Sequence, residues 1–100
     1  MIKHIVMWKL KESAHGNSKE RNAALIKQKL EALVGKIDGL VGMEVGIDFS
    51  CTANSGDVVA VVELLSKEAL ERYRVHPEHK TVVAFVTEAV TERRVVDYEV

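Results

Sequence analysis

Val58-Val59-Ala60-Val61-Val62-Glu63-Leu64-Leu65 decides the fold of this 100-residue chain. Only Glu63 interrupts its apolar run, so the segment has no wet face to present. A strand of this kind sits in the middle of a sheet and is covered on both sides. The turn Asn54-Ser55-Gly56-Asp57 leads into it. Before that turn, Val41 to Phe49 alternates, with Val41, Met43, Val45, Ile47 and Phe49 expected on one face. Gly42, Glu44, Gly46 and Asp48 fall on the other. Ile2 to Lys11 is a further strand, in which Ile5 and Met7 oppose Val6, Trp8 and Leu10. It too is apolar on both sides in its middle. A last strand from about Thr91 to Val100 puts Val96, Tyr98 and Val100 opposite Val95, Asp97 and Glu99.

Helical spacing fills the intervals. After the polar turn Ser13 to Ser18, Asn17 or Ser18 caps a helix with Ile26, Leu30, Leu33 and Ile37 in one apolar stripe. Gly39 is expected to end it in a left-handed conformation. Ser66 caps a short helix carrying Ala69, Leu70 and Tyr73. Pro77 has no N–H to donate and favours a first helical position, so it opens another helix with His76 as cap. Val82, Phe85, Val86 and Ala89 give that helix its inward stripe.

The order is therefore β-α-β-β-α-β, with the second helical region broken at His76-Pro77. This predicts a single α+β domain over residues 1–100 of the ferredoxin-like type. Its four-stranded antiparallel sheet would carry the helices on one face. The bare face, with apolar residues from the first and third strands, would expose on the order of several hundred Å² in a lone subunit. The expected cover is a second copy of the sheet, giving a homodimeric α+β barrel.

Composition narrows the function. With 47% hydrophobic and 29% charged residues and a net charge of −1, the chain offers no electrostatic reason to bind nucleic acid or an anionic membrane. No apolar run approaches the roughly 20 residues that cross a bilayer. No leader pattern of basic, apolar and small residues is visible. Cys51 is the lone cysteine and sits in a polar loop segment, so no intrachain disulfide forms and the reducing cytoplasm is the expected compartment. There is no Gly-rich phosphate loop, Cys-x-x-Cys pair or Gly-x-Ser-x-Gly nucleophile. No cofactor is expected.

Chemistry concentrates in Tyr73-Arg74-Val75-His76-Pro77-Glu78-His79. His79 falls in the first turn of a helix, where the positive end of the dipole disfavours imidazolium. A neutral imidazole beside a phenol can move protons, which makes His79 and Tyr73 the candidate catalytic pair. His4 lies on the strand face of Val6 and Trp8 and can enter a pocket or a core. Trp8 and Phe85 fit packing first and pocket lining second. The plain structural alternative has His76 satisfying helix-start amides, His79 solvated and Tyr73 a buried aromatic. His15, in a polar turn, is expected to face solvent. His76 and His79 have no acidic cluster beside them, so no resident metal is expected.

Ile2-Lys3-His4-Ile5-Val6-Met7-Trp8-Lys9-Leu10-Lys11, the Tyr73 to His79 segment and Val95-Val96-Asp97-Tyr98 together resemble the stress-responsive A/B barrel (Dabb) family. The likeness spans essentially the whole chain. It implies a ferredoxin-like fold and a dimeric barrel. Against the family's plant polyketide cyclase, it implies that His79 corresponds to the base and Tyr73 to its partner. By the same likeness His4 and His76 correspond to pocket histidines. The long apolar pocket of that enzyme has no recognisable counterpart here. Two functional expectations follow: a barrel that binds a small, partly apolar molecule with cofactor-independent acid–base chemistry, or a non-catalytic stress-response or assembly protein.

Overall fold

The computed structural model describes residues 1–100, from Met1 to Val100. Strand β1 (Ile2–Leu10) is followed by a small hairpin pairing Ser13–Ala14 with Asn17–Ser18, then helix α1 (Lys19–Glu31). Strands β2 (Leu40–Ile47) and β3 (Val58–Leu64) come next. Helices α2 (Lys67–Val75) and α3 (Pro77–Ala89) precede the last strand β4 (Val90–Glu99). The four strands form one antiparallel sheet in the order β2-β3-β1-β4. The apolar run of β3 is thus central, as its composition requires. This is the ferredoxin-like α+β fold, with β1 the other inner strand. No helix is long and apolar enough to cross a membrane.

Strand alternation sorts the side chains between the two faces. Ile2, His4, Val6, Trp8 and Leu10 of β1 and Val58, Ala60, Val62 and Leu64 of β3 are buried beneath the helices. Ile26 and Leu30 of α1, Leu70 and Tyr73 of α2, and Val82 and Val86 of α3 complete that core. The opposite face carries Ile5, Met7, Val59, Val61, Val96 and Tyr98, brought side by side by the strand register. Val96 is 61% exposed and Tyr98 45%.

Helix starts follow their caps. The Ser18 and Ser66 hydroxyls accept from the Arg21 and Ala69 amides, and the His76 ring accepts from the Glu78 amide. One edge of the sheet is covered by side chains at Val45. Lys27 Nζ donates to the Val45 carbonyl at 2.6 Å, while the Val45 amide donates to Glu31 Oε2 at 3.0 Å. Covering an edge this way removes its free pairing groups.

Three local expectations are corrected. Helix α1 ends at Glu31 rather than near Gly39, and tight turns with i→i+3 bonds carry the chain onward, as from Leu33 to Leu30 and from Leu40 to Ile37. Leu33 and Ile37 stay buried nonetheless. Val41 leaves the apolar face of β2 because the register shifts between Leu40 and Gly42. Phe49 lies beyond the strand and is 94% exposed.

Gly39 does adopt a left-handed conformation, at φ +86°, in the turn before β2. A Cβ placed there would sit 2.6 Å from the Ala69 Cβ, so α2 packs against bare backbone. Replacing Gly39 with Ala is expected to cost about 2 kcal/mol or more from backbone strain and the clash. Calorimetry should show a Tm lowered by roughly 10 °C, whereas an unchanged Tm would contradict this packing.

Candidate functional site

The junction of α2 and α3 builds one wall of the site. His76 leaves α2 in an extended conformation and caps α3, with Pro77 at the first helical position. The sharp turn folds the start of α3 back on the end of α2, and the Tyr73 and His79 rings lie 4.0 Å apart at 33°. Tyr73 is only 2% exposed. Burial pushes its phenol far above the usual tyrosine range, so it stays protonated and acts as a hydrogen-bond donor.

His79 is half-buried, and its Nδ1 is shut away from water without a well-formed hydrogen bond, although the Arg74 carbonyl acts on the ring. Buried polar atoms in native proteins are nearly always paired, so an orphan of this kind calls for a functional account. Burial pulls the imidazole below its usual pKa, against a partly opposing pull from the Arg74 carbonyl. The charges of His4, Arg93 and His76 add to the lowering. The neutral form of His79 is therefore favoured.

Across from this pair, β1 presents His4, 4% exposed, with its ring edge-on to Tyr73 at 6.1 Å. Its Nδ1 is hydrogen-bonded to Asp97 Oδ1 on the neighbouring strand, where strand register places the two residues opposite each other. The other Asp97 oxygen accepts from Arg74 at 2.8 Å, and Arg74 also donates to Glu71 at 2.9 Å. A carboxylate on Nδ1 holds the proton there and leaves Nε2 as the nitrogen available to a ligand.

These side chains border a cavity of about 250 Å³ between the helices and the sheet. Its floor is apolar, with Val6, Trp8, Ala60 and Val62 from the sheet and Val82 and Val86 from α3. Exposed Val83, Thr87 and Arg93 mark its opening. No group of three or more His, Cys, Asp or Glu side chains is gathered to hold a metal.

Four of the six expected site residues, His4, Trp8, Tyr73 and His79, meet at this cavity. His76 does not, because its ring nitrogen is occupied in capping α3. Phe85 also lies outside, stacked face to face on His15 at 4.0 Å with Lys29 Nζ 4.8 Å above its ring centre. His15 is exposed as expected, though it also bonds to the Phe85 carbonyl. Sequence reasoning missed Asp97, Arg74 and Arg93. The signal for Asp97 was an acid sharing a strand face with Val95 that the register turns toward the helices.

The family model for the stress-responsive A/B barrel domain matches residues 2–100. No curated protein matches the chain. Among solved structures, a dimeric ferredoxin-like protein of unknown function from Bacteroides fragilis is similar at 28% identity. Its TM-score is 0.87, over 99% of this chain and 95% of that one. A dimeric ferredoxin-like protein of unknown function from Thermobifida fusca shares the fold at 20% identity and TM-score 0.84, covering 99% and 90%. A hydroxynitrile lyase from Passiflora edulis shares it at 14% identity and TM-score 0.80, covering 97% and 90%.

The depressed pKa of His79 has a sign that can be checked. The unfolded chain takes up a proton near the ordinary value of 6.5, whereas the folded chain resists it. Stability from this residue is therefore complete above pH 6.5 and is lost as pH falls below it. Proton NMR should find the His79 ring still neutral at pH values where a free histidine has charged. The stability of wild type measured relative to His79→Gln should fall on acidification. Titration of His79 at or above its ordinary value would contradict the desolvated site.

Proposed function

The chain belongs to the stress-responsive A/B barrel domain family, and on that footing we propose that it binds a small, partly apolar carbonyl compound and performs cofactor-independent acid–base chemistry on it. The observation that carries the proposal is the unpartnered, buried nitrogen of His79 stacked on Tyr73 at an apolar cavity. With Nδ1 shut away from solvent, Nε2 is the nitrogen that a bound molecule with a hydrogen-bond donor or an acidic C–H would meet.

In this reading the neutral His79 imidazole takes a proton from the carbon beside the carbonyl. The electron pair moves to the carbonyl oxygen, which accepts a hydrogen bond from the protonated Tyr73 phenol. His4, its tautomer held by Asp97, offers a second polar contact. The imidazolium formed on His79 is disfavoured by burial and by Arg93, so it readily returns the proton to product. Aldol-type cyclisation and carbonyl isomerisation share this step; one neighbour of the same fold is named a hydroxynitrile lyase, whose cleavage would instead have the base take a hydroxyl proton.

The working form in this reading is a homodimer joined through the sheet faces that carry Ile5, Met7, Val61 and Val96. The neighbours from B. fragilis and T. fusca are described as dimeric. An exposed, unpaired Cys51 thiol suits the reducing cytoplasm.

Exchange of carbon-bound hydrogen for deuterium beside a carbonyl, followed by NMR across a panel of small ketones and thioesters, tests the chemistry without presuming a product. Wild type should accelerate exchange on at least one compound. His79→Gln should lower that rate by about 10²-fold or more, and Tyr73→Phe should lower it with the fold intact. An undiminished rate in His79→Gln would exclude His79 as base. No exchange on any compound would favour the non-catalytic, structural barrel.

A further inference from the structure

Arg93 is out of place on its strand face. Its register partner is Trp8, so it belongs to the side of β4 that faces the helices, in line with Val95 and Asp97. Its guanidinium makes no ion pair or hydrogen bond within the chain, whereas Arg74 nearby is committed to Glu71 and Asp97. Arg93 lines the cavity at its opening, and its charge is felt by His79 inside. The cavity lining contains two arginines and no carboxylate. The one acid at its edge, Asp97, is already shared between His4 and Arg74.

A free guanidinium at the mouth of an apolar cleft attracts anions strongly, because low-dielectric walls focus its field. Its planar fork also matches a carboxylate in two parallel hydrogen bonds. A cationic molecule would be repelled there, and a neutral one would leave the charge unused. The volume of about 250 Å³ falls just under the roughly 300–1,000 Å³ usual for drug-sized ligands. We infer that the molecule taken by this cavity is a small apolar carboxylate that also carries the reacting carbonyl, a keto acid in chemical class. Its charged end rests on Arg93 at the opening, and its apolar body lies against Trp8 and Val86 with its reactive carbon toward His79 and Tyr73. This deepens the acid–base proposal and rests on it for the identity of the site.

Phenylacetate and its near-isosteric neutral partner phenylacetamide provide the probe pair, with binding followed by NMR shifts of Trp8, Tyr73 and His79. Wild type should bind the acid about tenfold more tightly than the amide, as expected for a charge-assisted contact. Arg93→Gln should abolish that preference by weakening the acid far more than the amide, and Arg93→Lys should retain part of it. Equal binding of acid and amide by wild type would overturn the inference, as would a preference that survives in Arg93→Gln. In both cases the shifted cavity signals would leave the pocket reading standing. Failure of both probes to move those signals would overturn the pocket reading and the inference together.

Discussion

The structure depends on a sheet whose two inner strands are apolar on both sides. Val58, Ala60, Val62 and Leu64 of β3 point into the helices, while Val59 and Val61 point the other way. Strand β1 repeats the arrangement with Val6 and Trp8 against Ile5 and Met7. One face makes the core that fixes the fold. The other has no helix to cover it, and Met7, Val96 and Tyr98 remain substantially exposed. Lys27 and Glu31 cover the β2 edge at Val45, whereas nothing covers the apolar face. A broad apolar face of this kind is matched best by a copy of itself.

The same covered face makes the site possible. Small and branched residues, Ala60, Val62, Val82 and Val86, leave a gap between helices and sheet instead of filling it. Tyr73, His79 and His4 border that gap, largely withdrawn from bulk solvent. Desolvation then does two opposite things. It holds the phenol protonated as a donor and the His79 imidazole unprotonated as an acceptor. Burial is the larger influence on both rings, and the charges of His4, Arg93 and His76 add to it at His79.

Most of this architecture was legible because it is local. The apolar run of β3, the cap at Ser66 and the break at His76-Pro77 are all written in short spacings. Tyr73 and His79 were legible as neighbours because one helix junction joins them, and the family likeness supported the pairing. What stayed hidden depends on distant register or on packing. Asp97 lies 93 residues from His4, and only the β1–β4 pairing reveals the bond. The end of α1 was misplaced because Leu33 and Ile37 stay buried in tight turns as well as they would in a helix. His76 and Phe85 have the right residue types for a pocket, yet capping and stacking on His15 hold them elsewhere. Arg93 gave no signal, since an arginine on a strand reads as solvent-facing until the opposite residue proves to be Trp8.

Sedimentation equilibrium of the purified chain at micromolar concentration bears most directly on the two-faced sheet. The mass found should be twice the 11.1 kDa of one chain. A well-folded species that stays at 11.1 kDa would mean that water tolerates the open face, and the case for a barrel would fall.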